Sequence, residues 1–239
     1  MEYFKNIYRQ VRRIIYSYIV YVKIYLFTKK NNKRIEDLFA MNFDEVHVVC
    51  PGPSAVDLLE QDFDEKSAII FVNHAVKMAS RVKGSPKLFY FSADPTRTLE
   101  VLTHSYKEVK KCYSIVAPWH LFLMSKFSLY KNIDILLLPK TRLTLKYGLE
   151  TINDGPDNFS KLSKNPNGSG FGTFVYSLKL AVLFSPKTIT VWGSDFGNKN
   201  GIKYFDQSTP TRTDTPFDLI KQHFYIIREK INEMGIEVL

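Results

Sequence analysis

The chain has 239 residues, with 33 Lys and Arg against 24 Asp and Glu, for a formal charge of +9. An apolar fraction of 45% supports a packed core and excludes global disorder and a polytopic membrane protein. Two cysteines, Cys50 and Cys112, exclude a disulfide scaffold and a four-thiolate metal site, and they read as buried thiols of a reducing compartment.

In chain order, the first feature is a basic segment. Residues 1–34 hold nine basic residues against Glu2 alone, so eight of the nine net charges lie there. The remainder is nearly neutral, which argues against nucleic acid as a partner. Ile7, Val11, Ile14, Ile15, Tyr18 and Val22 recur at helical spacing, and Lys29, Lys30, Lys33 and Arg34 follow. The pattern predicts an amphipathic helix. It can lie in an anionic membrane interface, where each basic residue contributes roughly 1 kcal/mol. The alternative is a helix packed on the body or on a partner subunit. The apolar run from Ile14 to Phe27 contains Lys23 and is shorter than the ~20 residues a spanning helix needs. It carries no small-residue cleavage signal.

The body alternates strands and helices. Strands are expected at Val46–Cys50, Ala68–Val72, Leu88–Phe91, Ser114–Ala117, Ile133–Leu138 and Thr188–Trp192, with a terminal strand at Ile236–Leu239. Helices are expected from Ala55, over Ala75–Arg81, Thr98–Lys111, Ser169–Phe184 and Asp218–Met234. This order implies a single Rossmann-like α/β domain over residues 41–239, with a mainly parallel sheet, preceded by the amphipathic helix and linker of residues 1–40. In such a sheet ligands bind beyond the carboxyl ends of the strands. The turns after Cys50, Val72, Phe91 and Trp192 are therefore expected to share one rim. Residues 140–168 and 197–216 are polar and read as loops.

Three Gly-containing units carry the candidate chemistry. Gly52-Pro53-Ser54 follows the first strand. Gly52 allows close backbone approach, and Ser54 can cap the next helix or donate a hydroxyl. Helix-start amides there would favour an anion, although a tight structural turn would look the same. Gly168-Ser169-Gly170 opens a later helix and reads equally as a ligand loop or a cap. Gly193-Ser194-Asp195 ends the strand at Trp192, where a carboxylate can accept sugar hydroxyls or hold a loop. His74, beside Asn73, falls at the expected rim as a donor or acceptor contact. His47 reads as structural. No His-Glu-x-x-His unit is present, and no metal is expected.

The order of Gly52-Pro53-Ser54, Val72-Asn73, Leu88-Phe89-Tyr90, Ser169-Gly170, Gly193-Ser194-Asp195-Phe196 and Asn200-Gly201-Ile202-Lys203-Tyr204 resembles the bacterial sialyltransferases of glycosyltransferase family 42. The resemblance covers about residues 45–239. It implies an inverting transfer of sialic acid or a related acidic sugar from a CMP-activated donor to a bacterial surface glycan or glycolipid, with no tightly bound cofactor. By position, Asn73 would meet phosphate or ribose. Gly168, Ser169 and Gly170 would lie near the donor, Gly193, Ser194 and Asp195 would hold nucleotide groups, and Tyr204 would donate to the departing phosphate. The chain departs from the family at several points. Pro51 stands where the family has Asn. Gly197 replaces a second tyrosine. Asp94 lies one place after the position of a donor-contacting Asn. The family's general-base histidine is replaced near Thr213, leaving Asp214, or secondarily Asp206, to take the acceptor proton. The implied location is cytoplasmic, peripheral on the inner membrane through residues 1–34, with homo-oligomerisation open. Two other classes fit the same scaffold: a phosphoryl or pyrophosphoryl transferase, and a noncatalytic membrane-associated assembly protein.

Overall fold

Short runs rich in Val, Ile and Phe cannot present one polar face to water, so they must be covered on both sides. The computed structural model describes residues 40–92, 95–116, 135–137, 170–196 and 217–239. Its strands are β1 (Glu45–Val49), β2 (Asp62–Phe63), β3 (Ser67–Val72), β4 (Lys83–Gly84), β5 (Lys87–Ser92), β6 (Tyr113–Val116), β7 (Ile135–Leu137), β8 (Thr188–Trp192) and β9 (Glu237–Val238). Seven of them form one sheet in the order β7-β6-β5-β3-β1-β8-β9, and every neighbouring pair is parallel. β2 and β4 make a separate parallel pair.

Side chains alternate across this sheet with period two. Val46, Val48, Ile70, Val72, Phe89 and Phe91 point into one apolar layer, which helices α3 (Gly170–Leu183) and α4 (Phe217–Glu233) cover. Val49, Ile69, Phe71 and Tyr90 point into the opposite layer. There they meet two 3-10 helices, Pro53–Glu60 and Asn73–Met78, with α1 (Pro95–His104) and α2 (Tyr106–Val109). The described residues thus form a Rossmann-like α/β arrangement with a parallel sheet between two helical layers.

The topology fixes where a ligand can sit. From β1 the chain moves outward through β3, β5, β6 and β7, then returns to place β8 on the other side of β1. The strand order reverses between β1 and β8. At such a reversal the flanking connections leave on opposite faces and open a crevice at the carboxyl edge.

Most expected elements are present, with local differences. The helix expected over Thr98–Lys111 is two helices, because Ser105 leaves the helical region at φ −133° and ψ 32°. Its backbone nitrogen still donates to the Val101 carbonyl at 2.7 Å, and its own carbonyl accepts from Val109 at 3.1 Å. The segments after β1 and β3 are 3-10 helices, a form suited to short connections. The β2–β4 pair was not foreseen: two residues per strand give no periodic signal. The amphipathic helix expected in residues 1–34 lies outside the described residues.

Candidate functional site

Three turns leave the carboxyl edge side by side, after β8, β1 and β3, and Ser92 ends β5 next to them. The turns after β1 and β8 are joined directly. Cys50 donates its backbone N–H to the Trp192 carbonyl at 2.8 Å, and Gly52 donates to the Gly193 carbonyl at 3.0 Å. Ser54 donates its backbone N–H to Asp195 Oδ2 at 3.0 Å, across 141 positions of sequence. The absence of side chains is required at both glycines. A Cβ on Gly52 would overlap the Gly193 carbonyl oxygen and Asp195 Oδ2; a Cβ on Gly193, at φ +68°, would overlap the Cys50 carbonyl oxygen.

This geometry changes the chemistry expected of the Gly52-Pro53-Ser54 turn. Gly52 and Ser54 have spent their N–H groups as above, Ala55 donates to the Gly52 carbonyl at 3.1 Å, and Pro53 has none. The anion at the start of the 3-10 helix is the carboxylate of Asp195, acting as a cap from the far end of the chain. Asp195 remains half-exposed. One of its oxygens is committed to Ser54, and the other is the group it can offer a ligand hydroxyl. The Ser54 and Ser194 side chains are half-exposed beside it. Burial, and then the nearby Asp195 charge, push the Cys50 thiol far up, so it stays a neutral packing group.

An aromatic cluster sets the height of the β8 turn. Phe196, at φ +46°, packs its ring 6.1 Å from Phe174 of α3 and 5.5 Å from Phe224 of α4. Phe174 lies in the first half of α3, so the start of that helix, at Gly170, reaches the same edge of the sheet. Of the Gly168-Ser169-Gly170 unit, Gly168 and Ser169 lie outside the described residues.

One strand further along, Asn73 sits at φ +52°, a left-handed conformation that Asn tolerates better than most residues. Ser92, the last residue of β5, donates its hydroxyl to Asn73 Oδ1 at 2.9 Å. With the oxygen engaged, Nδ2 is the donor left at the rim. Next to it His74 is buried, with Nε2 3.2 Å from Glu100 Oε2. Arg97 donates to the same carboxylate oxygen at 2.6 Å. Burial lowers the His74 pKa, and the Glu100 hydrogen bond offsets that only in part.

The structure therefore brings Gly52, Pro53, Ser54, Asn73, His74, Gly170, Gly193, Ser194 and Asp195 to one edge. Asp94, Gly168, Ser169, Tyr204, Asp206 and Asp214 lie outside the described residues. Ser92, Arg97 and Glu100 join the site without having been singled out. Arg97 and Glu100 carry a visible signal, an oppositely charged pair three apart on a helix face, but it reads first as an ordinary surface pair. His47 is structural, accepting from Trp192 Nε1 at Nδ1 over 3.2 Å. Among the described residues, no three His, Cys, Asp or Glu side chains gather where they could hold a metal ion.

No protein-family model matches the chain, and no curated protein does. Two solved structures are similar in shape. The sialyltransferase CstII from Campylobacter jejuni, in complex with the substrate analogue cytidine-5′-monophosphate, is 14% identical; the match covers 82% of this chain and 79% of that one, with a TM-score of 0.48. The monofunctional alpha-2,3-sialyltransferase Cst-I from Campylobacter jejuni is also 14% identical, covering 78% and 72% with a TM-score of 0.44. Likeness at this level carries no chemistry by itself.

Proposed function

We propose that this chain is an inverting glycosyltransferase that passes an acidic sugar, sialic acid or a relative, from a CMP-activated donor to a hydroxyl of a bacterial surface glycan or glycolipid. The observation that carries the reading is the junction of the Gly52–Ser54 and Gly193–Asp195 turns where the strand order reverses, with Asn73 one strand away. These are the positions at which the chain's motifs resemble family 42, and three separate stretches of sequence supply them. In this reading the free oxygen of Asp195 accepts a nucleoside hydroxyl. Asn73 donates to phosphate or ribose, and the bare Cα atoms of Gly52 and Gly193 let the two turns close up beneath the nucleotide. Tyr204 donates to the leaving phosphate. The resemblance offers Asp214, then Asp206, as the group that takes the acceptor proton. Residues 1–34 hold the enzyme at the anionic cytoplasmic face of the inner membrane, next to a lipid-linked acceptor.

Thermal denaturation in the presence of CMP, CDP, UDP and nucleoside triphosphates tests the proposal. A ligand that binds only the folded state raises stability by RT ln(1 + [L]/Kd), about 2.7 kcal/mol at a hundredfold excess over Kd. CMP should give the largest upward shift, without added magnesium. No shift with CMP, alongside a magnesium-dependent shift with triphosphates, would replace this reading by a phosphoryl transferase. No shift with any nucleotide would favour a noncatalytic role.

A further inference from the structure

His74 is held in an unusual way for a packing residue. It is 4% exposed. Its Nε2 faces Glu100 Oε2, and Arg97 donates to that same oxygen. Burial pushes Glu100 up, but the hydrogen bonds from Arg97 and His74 outweigh it and keep the carboxyl below its ordinary value. Glu100 is therefore a carboxylate, which can only accept. Nε2 must carry the ring proton and donate it to Glu100. Nδ1 is then a bare lone pair, and it is buried with no hydrogen-bond partner. Leaving a buried acceptor unpaired is unfavourable, a penalty an apolar side chain at this position would not carry. The ring follows directly on Asn73, so His74 stands at the carboxyl edge of β3. Two strand spacings, about 10 Å, separate β3 from β8. A nucleotide sugar seated on the β1–β8 turns spans that distance.

We propose that His74 is a catalytic proton acceptor whose Nδ1 takes the proton of the acceptor hydroxyl, with Glu100 and Arg97 as positioning residues that hold the ring as its Nε2–H form. The assignment rests on the transferase reading above and deepens it by putting His74 in the place of Asp214 and Asp206 as the base. In the step, the acceptor oxygen forms a bond to the anomeric carbon. The bond from that carbon to the phosphate oxygen breaks, and its electron pair leaves with CMP. The hydroxyl proton passes to Nδ1, and the resulting imidazolium remains hydrogen-bonded to Glu100. The charged groups around the ring are Glu100 and Arg97 from α1 and Lys77 from its own 3-10 helix.

The test combines nitrogen NMR of the whole protein with kinetics of His74→Gln, Glu100→Gln and Asp214→Asn, using CMP-sialic acid as donor and either lactose or water as acceptor. At pH 7 the His74 ring should show a protonated Nε2 and a bare Nδ1; a proton on Nδ1 overturns the proposal. His74→Gln should lower kcat by about 10²–10⁴-fold, with CMP affinity by calorimetry changed less than about threefold. The acid limb of kcat/KM should lie below the ordinary histidine value of 6.5. Glu100→Gln, which removes an interaction that raises that value, should move the limb further down and cost less in kcat. It also serves as the second probe if His74→Gln fails to fold. Wild-type protein that binds CMP, with His74→Gln turning over normally and Asp214→Asn inactive, removes the His74 assignment and leaves the transferase reading. Wild-type protein that binds no CMP removes both.

Discussion

Asp195 decides how the candidate site is wired. Its carboxylate accepts from the Ser54 amide, 141 positions earlier, at the start of a helix, and it lies against a glycine whose missing side chain makes room for it. Two substitutions separate charge from space. Asp195→Ala removes a cap and should cost about 0.5–2 kcal/mol. Gly52→Ala drives a methyl group into a backbone carbonyl that cannot swing aside, so its cost should be at least as large, about 1–3 kcal/mol. Urea denaturation midpoints measure both; a Gly52→Ala protein with an unchanged midpoint would show that the two turns are not packed together. At this scale the sequence was partly legible. Gly52, Asn73, Gly193 and Asp195 stood out because small or short polar residues directly after apolar strands have few structural reasons to be there. That Asp195 would bond the Ser54 amide was not legible, since no local pattern encodes a contact across that separation. Glu100 was hidden for a different reason: its role depends on which way a histidine from another element faces.

Among the elements, strands were read most easily. β1, β3, β5 and β8 are short, apolar and ended by Gly, Asn, Ser or Pro; β1, β3 and β5 are largely buried on both faces, while β8 buries Ile189 and leaves its other residues partly exposed. Helices were harder where the break is a single residue. Ser105 divides α1 from α2 with no Gly or Pro to announce it. Sequence also outlined residues 1–34 as an amphipathic element, and its proposed role can be tested separately from the body. Full-length protein should sediment with vesicles containing phosphatidylglycerol, and less so as salt is raised, because screening shortens the reach of surface charge. Protein lacking residues 1–34 should stay in the supernatant. Equal sedimentation of both would reject the membrane-contact role. Among the described residues, no helix is long and apolar enough to cross a membrane.

For the whole molecule, buried titratable groups set a direction for acid sensitivity. Burial holds His47 and His74 below their ordinary value of 6.5, so the folded state binds fewer protons than the unfolded chain just below that pH. Their contribution is fully present above pH 6.5 and is lost as the pH falls through their folded values. The carboxyl of Glu100 lies below its ordinary 4.5, so its share is lost only in a later, more acidic stage. Urea midpoints should therefore fall between pH 7.5 and 5.5, and less steeply in His74→Gln; a flat profile in both proteins would contradict the burial of these rings. The strand order has a further consequence, for synthesis. β1 is made early, yet its second neighbour, β8, begins at Thr188. While the ribosome is still adding the intervening chain, one side of β1 offers unpaired amides and carbonyls to any passing strand. A nascent chain that stalls before Thr188 carries that open edge and none of the Gly193–Asp195 turn, so translation arrest there should yield a sticky, inert fragment that depends on chaperones.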